Sequence, residues 1–141
     1  MEAVILLDTN VISELSKRAP NPKVSDWLDR NEAEGIWTSA FTVAELRTGL
    51  AEMPEGKRKS ELSRLIDELL QRFGRSPVGF DALAAEEYAV IVTARKKRGR
   101  PIELFDALIA AVAVTHGLTL ATLNSKDFEE IDGLKLIDPA A

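Results

Sequence analysis

Near its beginning the sequence runs Ala3-Val4-Ile5-Leu6-Leu7-Asp8-Thr9-Asn10, and this stretch decides the fold. An unbroken apolar run with β-branched members is typical of a strand buried on both faces, as in the parallel sheets of α/β proteins. Asp8 follows that strand directly, and Thr9 or Asn10 can cap a helix after it. Ligands of open α/β sheets bind outside the carboxyl ends of the strands. The stretch therefore predicts a charged side chain at the functional edge of a parallel sheet.

Strand and helix patterns alternate along the rest of the chain. Further strands are predicted at 35–38, 118–123 and 134–137, and helices at 11–16, around 24–28, and at 42–53, 57–73, 82–98 and 107–115. Residues 77–80 fit either a strand or an extended connector. This alternation predicts an α/β fold, a three-layer α/β/α sandwich with a mainly parallel central sheet. The length of 141 residues fits one domain over 1–141 with a real core.

Local patterns also predict faces and caps of these helices. Trp27 and Leu28 are expected on the inner face of their helix because of their spacing. Thr42-x-x-Glu45 matches a capping box, in which Glu45 bonds back to the backbone of Thr42. Asp81 can cap the helix at 82–98, whose inner face is predicted to carry Leu83, Tyr88, Ile91 and Val92. The single histidine, His116, is expected to be structural or partly exposed rather than a general base.

Composition excludes several kinds of site. The chain has no cysteine, so a disulfide, a thiolate metal site and a cysteine nucleophile are all excluded. A net charge of -5 argues against binding nucleic acid by bulk electrostatics, although an enzyme can still meet phosphate through a bound cation. The longest apolar run, at 107–114, is far shorter than the ~20 residues of a membrane-spanning helix, and the start lacks the basic segment of a secretory signal. We expect a soluble, cytoplasmic protein without membrane contact.

Four acids share one kind of position although they are far apart in sequence. Asp8 follows the first strand, Glu45 lies just past the second, Asp106 opens a buried helix, and Asp127 lies just past a late strand. In a parallel sheet these positions can converge at one edge. Converging carboxylates raise each other's pKa, and a hard divalent cation such as Mg²⁺ or Mn²⁺ relieves that repulsion. Such a site suits phosphodiester hydrolysis by a metal-activated water.

Other interpretations of these residues stay open. Asp8 could instead form an aspartyl-phosphate in a phosphotransferase, although Asn10 stands where a dehalogenase-like pattern has a second aspartate. The acidic edge could also belong to a non-catalytic module that receives basic side chains. The cations at 95–98 either complement the end of a helix dipole or, with Arg100, contact phosphate.

Four segments together resemble the PIN-domain family. They are Asp8-Thr9-Asn10 after an apolar strand, Thr42-x-x-Glu45-Leu46, Phe105-Asp106-Ala107-Leu108-Ile109-Ala110-Ala111, and Leu120-Ala121-Thr122-x-Asn124-x-x-Asp127-Phe128. They occur in the family's order, and the resemblance runs from Val4 to Pro139. Within the family the chain looks most like the VapC-type toxins of bacterial toxin–antitoxin pairs.

The resemblance implies an activity and partners. It implies a metal-dependent ribonuclease with the PIN fold and a Mg²⁺ or Mn²⁺ cofactor. It also implies a cognate VapB-like antitoxin that inserts near the acidic site and inhibits the enzyme. A homodimer is implied as well, often within a toxin–antitoxin hetero-oligomer that binds operator DNA only through the antitoxin.

The resemblance also suggests roles for individual residues. Asp8 and Asp106 match the family's metal ligands, Glu45 matches the third acid, and Thr9 matches a hydroxyl residue beside the site. The fourth position is open, because some members have an acid where Asn124 stands here. Asn124 would then orient metal-bound water, while Asp127 either supplies the fourth carboxylate or only caps the next turn.

Overall fold

The computed structural model describes residues 4–73 and 77–141, so that Ala3 of the first apolar run lies outside the described residues. Within these ranges there are four strands, β1 (Ile5–Leu7), β2 (Ile36–Thr38), β3 (Thr119–Ala121) and β4 (Lys135–Ile137). The helices are α1 (Thr9–Leu15), α2 (Pro22–Asn31), α3 (Ala40–Ala51), α4 (Lys57–Phe73), α5 (Ala82–Lys97) and α6 (Leu104–Thr115). Short 3-10 turns span Glu32–Glu34 and Ser125–Phe128.

The four strands form one parallel sheet in the order β2-β1-β3-β4. Leu7, the last residue of β1, is in register with Thr38 of β2 and with Ala121 of β3. The carboxyl ends of these strands are therefore aligned. The residues that directly follow these strands, such as Asp8 and Thr122, therefore lie at one edge of the sheet.

Helices cover both faces of the sheet, which confirms the predicted three-layer sandwich. On one face, α1 to α4 pack with Leu7 of β1 and Ile36 of β2 in one buried cluster. On the other face, α5 and α6 pack with Leu6 and Leu120. Leu6 and Leu7 are both fully buried although they point to opposite faces, as expected for a strand of a covered parallel sheet.

Helix α6 is the buried helix that presents Asp106. Ala107, Ala110 and Ala111 are fully buried, and their small side chains let α6 lie close to its neighbours. Only three residues separate the end of α6 from β3, so the helix runs back against the direction of the strand. Its first turn, which contains Asp106, therefore lies at the carboxyl edge of the sheet.

The prediction that Leu83 lies on the inner face of α5 is wrong. Leu83 is 65% exposed, and the buried stripe of α5 instead contains Ala84, Ile91 and Arg95. These three residues recur at helical spacing, and Leu83 is about 100° away from Ala84 around the helix. Of the other predicted inner-face residues, Ile91 is buried and Tyr88 packs against the same cluster, whereas Val92 is only partly buried.

None of the helices within the described residues combines the length and the apolar character needed to cross a membrane. Residues 77–80 form an extended connector, in which Val78 makes a single parallel bridge to Ser39. This resolves the two alternatives that the sequence left for that segment.

Candidate active site

Asp8 joins β1 to α1 and is fixed by hydrogen bonds to both of its carboxylate oxygens. Its Oδ1 accepts a hydrogen bond of 2.8 Å from the backbone N–H of Thr9, and Oδ2 accepts one of 2.8 Å from the hydroxyl of Thr122. The side chain is buried, at 5% exposure. The prediction that Thr9 or Asn10 caps α1 is wrong, because β1 runs straight into the helix and Asp8 itself is the N-cap.

Thr122 is a site residue whose role the sequence did not reveal. Its buried hydroxyl donates to Asp8 and accepts hydrogen bonds from the side chain of Asn10, at 3.3 Å, and from the backbone N–H of Asn124, at 3.0 Å. Asn10 in turn accepts a hydrogen bond of 3.2 Å from the N–H of Leu123. Thr122 follows β3 as Asp8 follows β1, and this shared position is the sequence signal that points to it.

Glu45 faces the site from α3 and has no capping role. The helix begins at Ala40, and the hydroxyl of Ser39 accepts a hydrogen bond of 3.1 Å from the N–H of Thr42. The predicted capping box with Thr42 as its first residue is therefore wrong, because Thr42 already lies inside the helix. Glu45 instead accepts a hydrogen bond of 2.6 Å from the hydroxyl of Thr9.

The hydroxyls beside Glu45 form a chain with a defined direction. The hydroxyl of Ser39 donates to Thr42 at 3.3 Å, and the hydroxyls of Thr42 and Thr9 lie 3.0 Å apart. A hydroxyl has one proton to donate, and that of Thr9 points to Glu45. Thr42 must therefore donate to Thr9, so the chain runs from Ser39 to the Glu45 carboxylate and orients it.

Asp106, in the first turn of α6, is half-buried and has an unusually high pKa. Burial is the main cause, and the negative charges of Asp8, Glu103, Asp127 and Glu45 add to it, so that the pKa rises to about 7. The pKa of Asp8 is also raised, again chiefly by burial, although the hydrogen bonds from Thr122 and Thr9 oppose the shift. The four predicted acids thus lie close enough to act on one another, as expected from their positions in the sequence.

Asp127 and Asn124 occupy different places beside this cluster. Asp127 lies in the 3-10 turn Ser125–Phe128, which is anchored by the buried ring of Phe128 and by a hydrogen bond of 3.0 Å from the Asp127 N–H to the Asn124 carbonyl. Asn124 is exposed, and its side chain makes no cap for the turn. Of the two, it is Asp127 whose charge raises the pKa of Asp8 and Asp106.

The basic segment at the end of α5 differs from the prediction in one respect. Arg95 is buried, at 4% exposure, and donates to backbone carbonyls, so its nomination as a phosphate contact is wrong. Arg98 and Arg100 are more exposed and lie 3.5–3.8 Å from the carboxylates of Glu129 and Glu130. Exposed Lys96 and Lys97 remain candidates for contact with a polyanion.

The donor set of the acidic cluster suits a hard cation held by few protein ligands. Within residues 4–73 and 77–141, no three or more acidic or histidine side chains form a group that is already placed to hold a metal ion. Mg²⁺ commonly binds through only one or two carboxylates and keeps its waters. Each oxygen of Asp8 accepts a single hydrogen bond and retains a free lone pair. His116 is exposed at the far end of α6 from Asp106, so the available ligands are oxygens.

A cleft of about 750 Å³ opens beside Thr9 and Glu45. It lies between α1, α3 and α4, and its floor is apolar. Lys17, Arg18 and Arg58 lie among its lining residues, together with Glu61, whose carboxylate is 3.1 Å from the guanidinium of Arg18. The apolar lining residues are Leu46, Leu50, Met53, Leu62, Leu65 and Ile66.

Comparison with known proteins gives concordant results. The PIN domain family model matches residues 5–134. The chain is 44% identical to the VapC ribonuclease Y4jK of Sinorhizobium fredii, over 96% of this chain and 97% of the relative. It is 43% identical to toxin FitB of Neisseria gonorrhoeae, over 92% and 94% of the two chains. A chain in the solved structure of FitAB bound to a DNA fragment superposes with a TM-score of 0.88 at 39% identity, covering 98% of this chain and 96% of that one. By sequence and by fold, this chain belongs to the PIN-domain family.

Proposed function

We propose that the protein is a Mg²⁺- or Mn²⁺-dependent ribonuclease that hydrolyses RNA phosphodiesters, and that it is the toxin of a toxin–antitoxin pair. The observation that carries the proposal is the convergence of Asp8, Glu45, Asp106 and Asp127 at one sheet edge, with the pKa of Asp106 raised to about 7. Such a cluster is costly unless a cation neutralises it. The names of its relatives, a VapC ribonuclease and a toxin, support the same activity.

The roles of the residues follow from their surroundings. Asp8 and Asp106 would hold the cation. Hydrogen bonds fix both carboxylate oxygens of Asp8. The negative charges around Asp106 disfavour its ionised form, and a cation would neutralise that repulsion. When bound, the cation would lower the pKa of a water and neutralise charge on the scissile phosphate. Glu45 is oriented by Thr9 through Oε1, which leaves Oε2 to accept a proton from the attacking water. Asp127 adds negative charge that strengthens the affinity for the cation.

The cleft beside Glu45 supports the antitoxin as partner. An apolar floor with cations among its lining residues suits an amphipathic segment of another protein, which would cover the entrance to the acidic site. The solved FitAB relative is a complex bound to DNA, which supports a hetero-oligomer that binds operator DNA through the antitoxin. A homodimer of this chain is part of the same proposal.

The test is cleavage of a panel of RNAs, structured and single-stranded, by protein freed of antitoxin. Cleavage is expected with Mg²⁺ or Mn²⁺ and is lost with a chelator. Asp106→Asn should lower kcat by about 100-fold or more, as for removal of a group that stabilises transition-state charge. Asp26→Asn, at an exposed position of α2, is the matched control and should cleave like wild type. If folded wild type leaves the whole panel intact with both cations, the ribonuclease proposal is wrong.

A further inference from the structure

Arg95 is a buried cation that the proposed mechanism does not use. Its guanidinium comes from the last turn of α5 and lies among backbone carbonyls. Within the described residues no carboxylate lies within salt-bridge distance of it. Burying a charge without a counter-ion is costly unless its donors are well satisfied. The hydrogen bonds of Arg95 must therefore account for the burial of its charge.

The hydrogen bonds of Arg95 join two segments that are distant in sequence. Its Nε–H donates to the carbonyl of Arg100 at 2.9 Å, and Nη1 donates to the carbonyls of Asp127 and Glu129 at 3.0 and 3.2 Å. Arg100 lies in the connection that leads into α6 and hence to Asp106. Asp127 is the acid of the 3-10 turn. One planar guanidinium thus ties together the backbones that carry two of the acids.

The segment after Asp127 needs such support because its backbone is strained. Glu130 has a φ of 60°, the only positive φ of a non-glycine residue in the described ranges. Residues in this left-handed region cost about 1 kcal/mol or more and persist only where the surroundings fix them. Arg98 donates to the carbonyl of Glu130 at 2.7 Å, but it is exposed, so water can replace that bond. Arg95 is buried, and water cannot readily replace its bonds.

We propose that Arg95 is a positioning residue: its buried guanidinium holds the Asp127 segment against the connection to Asp106, and so keeps the Asp127 carboxylate close enough to the cluster for its negative charge to strengthen cation binding. The proposal rests on the proposed function. Arg95 acts through the backbone and touches neither cation nor substrate. Substitutions of outer residues that orient metal ligands commonly weaken metal affinity by about 10- to 100-fold.

The test is a double-mutant cycle on Mn²⁺ binding, measured from the electron paramagnetic resonance of free Mn²⁺. Arg95→Met is expected to weaken Mn²⁺ affinity about tenfold, while Arg98→Met, the matched control one turn away, should change it by less than about twofold. In the Asp127→Asn background, Arg95→Met should have little further effect, because the carboxylate that it positions is already gone. With RNA at saturating Mn²⁺, the KM of Arg95→Met should stay close to that of wild type.

Other results of the cycle distinguish a failure of the positioning role from a failure of the proposed function. If Arg95→Met and Asp127→Asn weaken Mn²⁺ binding independently, so that their effects multiply, Arg95 does not act through Asp127 and the positioning role is overturned. Wild type that binds no Mn²⁺ and cuts no RNA overturns the proposed function, and the positioning role with it. If Arg95→Met fails to fold, Arg95→Lys takes its place in the cycle, since lysine keeps the charge but lacks the planar set of donors. Wild-type Mn²⁺ affinity in folded Arg95→Lys would contradict the proposal.

Discussion

At the scale of single residues, the raised pKa of Asp106 couples the site to the stability of the fold. In the unfolded chain this carboxyl has its ordinary pKa of 3.8, and in the folded, metal-free protein its pKa is about 7. Between these values the folded state holds more protons than the unfolded state. The free energy of unfolding therefore falls as the pH rises. The stabilisation is complete below about pH 4 and is lost as the pH passes 7.

We therefore predict that chelator-treated protein is more stable at pH 5 than at pH 8. The full pKa difference corresponds to about 4 kcal/mol, and screening by solvent at this half-buried group reduces the expected change to about 1–2 kcal/mol. Urea unfolding followed by circular dichroism at several pH values measures it. Asp106→Asn should flatten the dependence. A variant with the same slope as wild type would show that other groups cause it.

Two buried threonines at strand ends offer a paired prediction. The Thr122 hydroxyl satisfies three groups, whereas the Thr38 hydroxyl is buried without a hydrogen-bond partner in the described structure. Thr122→Val should cost about 1–3 kcal/mol of stability and lower activity, because it leaves buried polar groups unpaired. Thr38→Val, which removes an unpaired hydroxyl, should be neutral or stabilising. Equal losses in the two variants, measured by urea unfolding, would contradict this account.

At the scale of elements, the start of α3 connects helix capping to the orientation of Glu45. Ser39→Ala should cost about 1 kcal/mol through loss of the N-cap, and it should also lower activity, because Ser39 begins the hydroxyl chain that reaches Glu45. Glu45→Gln separates the two effects, since it should abolish activity without the stability loss that a capping box would imply. Urea unfolding and RNA cleavage together measure both. Substantial destabilisation by Glu45→Gln would restore the capping-box interpretation.

The same helix explains why the sequence predicted Glu45 better than the cap of α3, whereas the predicted cap Asp81 of α5 is confirmed by its hydrogen bond of 2.9 Å from the N–H of Ala84. Glu45 lies at the sheet edge because its helix follows a strand. This placement stays the same although the helix begins at Ala40 and not at Thr42. The choice of cap depends on the start residue itself, and Ser39, Thr42 and Thr9 are all suitable caps by type. The neighbour of Glu45 proved to be Thr9, 36 residues away. Local sequence patterns do not predict a contact between residues so far apart in the chain.

At the scale of the molecule, the alternation of strands and helices was enough to predict the three layers and the parallel sheet. Because strand ends in a parallel sheet align, that topology alone brought Asp8, Glu45, Asp106 and Asp127 to one edge. Details that depend on pairwise packing were not predictable. Leu83 is apolar yet exposed and Arg95 is charged yet buried, because α5 packs through the stripe that contains Ala84 and Ile91. Burial of Arg95 depends on carbonyls more than 30 residues further along the chain, which no periodicity indicates.

The whole fold should respond to the cation, because a ligand that binds only the folded state stabilises it in proportion to the logarithm of its concentration. We predict that Mn²⁺ raises the midpoint of thermal unfolding, and that it does so more at pH 8 than at pH 5, since at pH 5 protons already relieve the repulsion around Asp106. Differential scanning calorimetry with and without Mn²⁺ at the two pH values measures both effects. Asp106→Asn should lose most of the response, while Asp26→Asn should keep it. An equal rise in all three proteins would mean that Mn²⁺ binds elsewhere, and the acidic edge would then not be the metal site.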